Sequence, residues 1–294
     1  MLVFDTGDTL FTPGLAPITD ADRRRADLQS HAFATLGYSA LAVGELDLRD
    51  GLANLRARMD KDKLPYLSAN LVDASGARPF PPSKLLDGPQ GKVGVVAVTA
   101  FDGEVAGLHA EDPAVALKRE VAALRSQGAT TVVGLVHAPR LHVDPVLKDS
   151  GVDLVLIGHD GGSGMVIRTP PGFASGQKGR ALMRVSLELG EGPVVDGNAA
   201  EDAKNEVKML DNMLAMEQQR LGTAHNDQAR DFLNNQMKST RERREKALKR
   251  AEAPSEGRMV SSHPIQLDER VPDEPELAKQ VDAEVTADGH SPAR

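Results

Sequence analysis

Three residues stand in similar places along this chain, each just beyond a short apolar run. Phe4-Asp5-Thr6-Gly7-Asp8-Thr9-Leu10-Phe11 carries a hydrophobic strand into a Gly-Asp turn that would present the Asp8 carboxylate at a strand end. Val132-Val133-Gly134-Leu135-Val136-His137 reads as a buried strand closed by an imidazole. Leu154-Val155-Leu156-Ile157-Gly158-His159 repeats that arrangement. Hard divalent cations want oxygen donors, and neutral imidazole is the commonest nitrogen ligand for Zn, Mn or Fe. Each segment alone is more often an ordinary loop than a ligand. Three of them at the C-terminal edge of one sheet point instead to a shared ion held by Asp8, His137 and His159.

The elements that must position these groups follow the grammar of a layered α/β domain. Strands are expected at Leu2–Phe4, Ala40–Val43, Leu67–Asn70, Lys92–Thr99, Thr131–Val136, Leu154–Gly158 and Ala181–Leu189. Asp22–Leu36 reads as a helix stopped at Gly37, and Pro113–Ser126 as another. In the second, Ala114, Leu117, Val121 and Leu124 share a face while Lys118, Arg119 and Glu120 turn away. After Gly197 the composition changes. Residues 199–251 contain no Pro and one Gly, which predicts one long helix or a hairpin broken near Gly222-Thr223. Glu217, Gln228 and Asn235 interrupt its apolar stripe, which argues against a sustained coiled coil. From about residue 252 the chain is acidic, rich in Pro and poor in apolar residues, and is expected to be a disordered tail or linker. The expected domains are therefore 1–198, 199–251 and 252–294.

With 294 residues the chain has ample length for a core. It has few aromatics, no Trp and a net charge of -8, which argues against stacking on bases or general affinity for phosphate backbones. Nucleic acid is not an expected partner. The absence of Cys excludes disulfides and thiolate ligands. The basic run Lys238, Arg241, Arg243, Arg244, Lys246, Lys249 and Arg250 is interleaved with Glu242 and Glu245 and reads as a solvated helix face. His31, His109, His142 and His225 belong to no motif and read as surface or loop residues.

In their order, the informative segments resemble the calcineurin-like metallophosphoesterases, in the branch of 5′-nucleotidases and UDP-sugar hydrolases. That family runs D-A-G-D, G-Y-D-A-x-x-x-G-N-H-E-F-D, L-S-A-N, a strand ending in S-H, and G-G-H-S-H. This chain has Asp5-Thr6-Gly7-Asp8, then Leu36-Gly37-Tyr38-Ser39-Ala40 through Gly44-Glu45-Leu46-Asp47, then Leu67-Ser68-Ala69-Asn70, Val136-His137 and Gly158-His159-Asp160-Gly161. The similarity spans roughly residues 2 to 190. It implies a four-layer α/β/β/α sandwich whose two metals activate a bridging water for in-line attack on a phosphate ester. It further implies that Asp8 bridges the metals and that His137 and His159 are ligands.

The departures are specific. Glu45-Leu46 stands where the family has Asn-His, so a metal ligand and the histidine that assists the leaving group are both replaced. Gly161 stands for the second histidine of the G-H-x-H block, and Asp160 is no obvious substitute. Glu45 has donor atoms to serve as a fourth ligand. The family's opening D-x-H block has no counterpart, so the sandwich is expected to lack its first strand, through a truncated chain or a misplaced start. The same loss would remove a secretion signal. The chain is cytoplasmic as written and exported or periplasmic otherwise. The family's base-clamping second domain is also missing, so nucleotide specificity does not carry over. The expected cofactor is a divalent metal ion, Mn, Zn or Fe, one rather than two, or none. Two functions follow: a degenerate metal-dependent phosphate ester hydrolase on Asp8, Glu45, His137 and His159, or an inactive pseudoenzyme that binds a protein partner or oligomerises through residues 199–251.

Overall fold

The computed structural model describes residues 1–88, 91–159, 163–176, 179–188, 192–223, 226–252 and 257–287. The chain divides into two units. The first holds Met1–Arg184, Leu189–Gly192 and Ser262–Arg294; the second holds Val185–Glu188 and Pro193–Ser261.

In the first unit, a three-stranded parallel sheet has the order β1 (Phe4–Asp5), β2 (Ala40–Ala42), β3 (Tyr66–Leu67). Helices α1 (Asp20–Thr35) and α2 (Leu52–Asp62) accompany it. A small antiparallel sheet joins β4 (Leu71–Asp73) to β8 (Leu108–Ala110) and β7 (Glu104–Val105). The largest sheet is built around β6 (Gly91–Thr99), with β5 (Ser83–Gly88) at one edge. Beyond β6 come β9 (Ala129–His137), β10 (Leu154–Gly158), β12 (Pro171–Ser175) and β11 (Ser163–Arg168). Helices α3 (Pro113–Ser126) and α4 (Arg140–Leu147) lie in the crossovers on either side of β9. Strands β6, β9, β10 and β12 are parallel, and the first three are near-continuous apolar runs, as strands covered on both faces must be.

Strand alternation sorts these residues into layers. Val96, Val98, Val132, Val136, Val155 and Ile157 pack with Leu117, Val121 and Leu124 of α3 and Val143, Val146 and Leu147 of α4. On the small sheet, Leu41, Val43 and Tyr66 pack with Phe33 of α1 and Leu55 of α2. The opposite faces meet each other: Thr99 Oγ1 donates to Val43 O at 2.5 Å, and Ala69 N–H donates to Ala97 O at 2.8 Å. Ala40, Ala42, Val95 and Ala97 are completely buried between the sheets, where their small side chains permit close approach. The result is the four-layer α/β/β/α sandwich. Two of its helices are capped by side chains, α1 by a Thr19/Asp22 capping box and α3 by Asp112 followed by Pro113.

Several details differ from the sequence expectation. Glu120 does not turn away from α3's core face. It is 9% exposed and accepts hydrogen bonds from Ser83 Oγ and Arg119 Nε, partners that a helical period cannot show. Leu67–Asn70 is not a continuous strand: β3 ends at Leu67, and Asn70 bridges segments instead, donating to Thr99 O and Glu111 O and accepting from Thr99 N–H. Residues 275–287, expected to be disordered, form α7 (Pro275–Ala287), capped by Glu274 and tied to α1 by the Arg24–Glu284 ion pair at 2.7 Å.

In the second unit, Val185–Leu187 at the end of β13 (Ala181–Leu187) flanks β15 (Arg258–Gln266), which pairs in parallel with β14 (Val194–Asp196). Backbone pairing and buried Val260 thus order a stretch expected to be tail. Residues 199–251 form a hairpin of α5 (Ala199–Gly222) and α6 (Asp227–Glu252). The buried residues of the hairpin are Ala203, Leu210 and Glu217 on α5 and Leu233, Met237, Thr240 and Ala247 on α6. Glu217 sits in the seam, where Thr240 Oγ1 donates to it at 3.3 Å, while Gln228 and Asn235 lie outside it. The basic run is exposed except for Arg244, which pairs with Asp211. Among the described residues, no helix is long and apolar enough to cross a membrane.

Candidate metal centre

The last residue of β9 and three turns that follow parallel strands bring His137, Asp8, Glu45 and His159 together. One ligand atom from each lies within 4.8 Å of the others. The four do not come from one sheet, as the sequence suggested. Asp8 and Glu45 follow β1 and β2 of the small sheet, whereas His137 ends β9 and His159 follows β10 of the large one. The cluster therefore sits at the rim where the two stacked sheets meet.

Local sequence explains each placement. Gly7 N–H donates to Asp5 Oδ1 at 2.8 Å, and Gly7 takes a positive φ of 94°, which folds the chain back after β1. Asp8 follows at φ 64° and His159 at φ 75°, so two of the four residues occupy the left-handed region that L-residues rarely adopt. Gly44 has no alternative at its position, since a Cβ there would overlap the Asp8 carboxylate. Leu46 N–H in turn donates to Asp8 Oδ1 at 2.8 Å.

His137 is fully buried, and its tautomer is fixed by a neighbour. Nδ1 lies 2.7 Å from Thr6 O, an oxygen that can only accept, so Nδ1 carries a proton. Nε2 then faces Glu45 Oε2 at 2.9 Å, Asp8 Oδ2 at 3.3 Å and His159 Nδ1 at 3.3 Å. His159 Nδ1 also lies 3.2 Å from Glu45 Oε1. Burial alone would push the His137 pKa down, but hydrogen bonds to Asp8 and Glu45 outweigh it and lift the value to about 10. Burial likewise acts to raise the Glu45 carboxyl, and the bond from His137 overrides it and holds Glu45 below the usual range. The cause is geometric, since Nε2 lies between the Asp8 and Glu45 carboxylates.

The donor set fits a divalent metal. It offers two carboxylates and two imidazoles, mixed oxygen and nitrogen donors suited to Mn, Zn or Fe. The bond from His137 to Thr6 O is the outer-shell contact that orients a histidine ligand. Asp47, to which the sequence pattern assigns no role, is a buried carboxylate beneath two of the turns, and its partners are backbone amides. Gly161, Asp160 and His225 lie outside the described residues.

No family model matches the chain. It is 26% identical over 118 residues to a 5′-nucleotidase of Vibrio cholerae, a match covering 37% of this chain and 21% of that protein. Among solved structures it is similar to the sulfate thiohydrolase SoxB of Thermus thermophilus, with TM-score 0.55 and 27% identity over 65% of this chain and 36% of that one. The calcineurin-like phosphoesterase YfkN of Bacillus subtilis shares the fold at TM-score 0.51 and 16% identity, covering 65% of this chain and 73% of that one. The chain thus spans about a fifth of the curated relative and about a third of the SoxB structure.

Proposed function

We propose that the chain is a phosphoesterase of the calcineurin-like, 5′-nucleotidase type: a metal-dependent hydrolase of phosphate esters whose site takes one divalent cation on Asp8, Glu45, His137 and His159. The observation that carries this reading is the convergence of those four side chains at the rim between two sheets. A bound divalent cation supplies Lewis acidity, activating water and neutralising charge on phosphoryl oxygens. The chain's own residues do the rest. His137 releases the Nε2 proton and keeps its Nδ1–H on Thr6 O. Asp8 and Glu45 balance the positive charge, and Leu46 N–H holds Asp8 in place. Leu46 has no proton to give a leaving group, so turnover is slow. Hydrolysis of para-nitrophenyl phosphate tests the reading. Turnover stimulated by Mn, Zn or Fe and lost in Asp8→Ala is expected, and its absence in the wild-type protein sinks the enzymatic reading.

A second reading, the same scaffold used as an inactive binding or assembly module, draws support from the hairpin. Met209, Met213 and Met216 of α5 are exposed at spacings of four and three, an adaptable apolar row. Size-exclusion chromatography with light scattering separates the readings. An oligomer lost when residues 199–251 are deleted favours the module; a monomer unchanged by the deletion counts against it.

A further inference from the structure

One buried side chain joins the two turns that carry the carboxylate ligands. Asp47 is 1% exposed and lies in the 3-10 turn Leu46–Leu48. Its Oδ2 accepts from Asp8 N–H at 3.0 Å and Gly44 N–H at 2.9 Å. Its Oδ1 accepts from Thr9 N–H at 3.0 Å and Leu10 N–H at 3.1 Å, with the Thr9 hydroxyl at 3.5 Å. These amides belong to the turn after β1 and the turn after β2, strands so short that they register through only Phe4↔Ala40 and Asp5↔Leu41. Leu46 N–H closes the loop by donating back to Asp8 Oδ1.

We propose that Asp47 is a positioning residue: a buried carboxylate whose bonds to amides of both turns hold Asp8 and Glu45 at metal-binding separation before any ion arrives. The inference rests on the metal-binding reading above. Asp47 is not itself a ligand, since both its oxygens are engaged by backbone amides. Only an acceptor-only group serves there, because every neighbour is a donor. A neutral amide of the same shape would turn its own N–H groups towards two of them. The left-handed backbone of Asp8 adds a reason for the tether, since that conformation persists only where surrounding contacts impose it.

The test compares wild type with Asp47→Asn by titration with Co(II), reading affinity and the visible d–d spectrum, beside near-UV circular dichroism. The proposal expects a folded variant that binds Co(II) at least about ten-fold more weakly with an altered d–d band, as outer-shell changes do. Equal affinity and an identical band in the two proteins overturn it while leaving the metal reading intact. If wild type takes up no Co(II), the metal reading itself has failed. Amide exchange followed by NMR on the metal-free wild type decides the positioning role without any variant. Protection of the Asp8, Thr9, Leu10 and Gly44 amides is expected; free exchange that becomes protected only on adding metal refutes a pre-set site.

Discussion

His137 Nε2 lies 2.9 Å from Glu45 Oε2, a contact made between the rims of two different sheets. Neither residue's strand could supply that contact alone, and it occupies the point on which Asp8 and His159 also converge. On the proposed reading, a proton and a metal ion compete for one imidazole nitrogen.

The first consequence is a pH dependence of the metal-free protein. The His137 pKa is raised from 6.5 to about 10 by Asp8 and Glu45 against the effect of burial. Between those values the folded state holds a proton that the unfolded chain lacks, so stability must fall as pH rises. The contribution is fully present below 6.5 and lost on passing through about 10. Urea denaturation in the presence of a chelator should show lower stability at pH 9 than at pH 7, and His137→Gln should flatten that difference.

Metal uptake must displace the same proton. Calorimetric titration with Zn in two buffers of different ionisation enthalpy should show about one proton released per ion near neutral pH. A heat of binding independent of buffer would contradict the assignment of His137 as a ligand.

Gly44→Ala places a methyl group into the Asp8 carboxylate. We expect metal affinity to fall by at least about ten-fold and stability by about 1–3 kcal/mol, the usual cost of overpacking. Competition titration with a chromophoric chelator and thermal melting measure the two effects separately.

Much of the scaffold was legible in the sequence because burial on both faces leaves a plain signature. The Val-rich runs of β6, β9 and β10 and the apolar face of α3 come directly from patterning. Helix α2 was not legible, since its buried residues are only Leu55 and Arg58, the latter held by ion pairs to Asp27 and Asp50. Strand β15 was hidden for a related reason: its order comes from backbone pairing to β14 within a polar stretch. The same holds at the site. Asp8, His137 and His159 announce themselves at strand ends, whereas Asp47 acts on amides, which every residue has.

Glu217 illustrates a polar residue that the hairpin tolerates rather than needs. One of its carboxylate oxygens is buried without a hydrogen-bond partner, within a seam otherwise lined by Ala, Leu, Met and Thr. Glu217→Leu combined with Thr240→Val, which removes both partners of the bond they share, should stabilise the second unit by about 1–2 kcal/mol, the cost of an unmet buried polar group. Thermal unfolding that shifts downward instead would mean that the carboxylate is needed there.

If Asp8, Glu45, His137 and His159 form one metal site, metal content by mass spectrometry on purified protein must reveal it. Mn, Zn or Fe near one equivalent per chain is expected, lost in a folded Asp8→Ala/His159→Ala double variant. No bound metal in the wild type, or equal metal in both proteins, would contradict it.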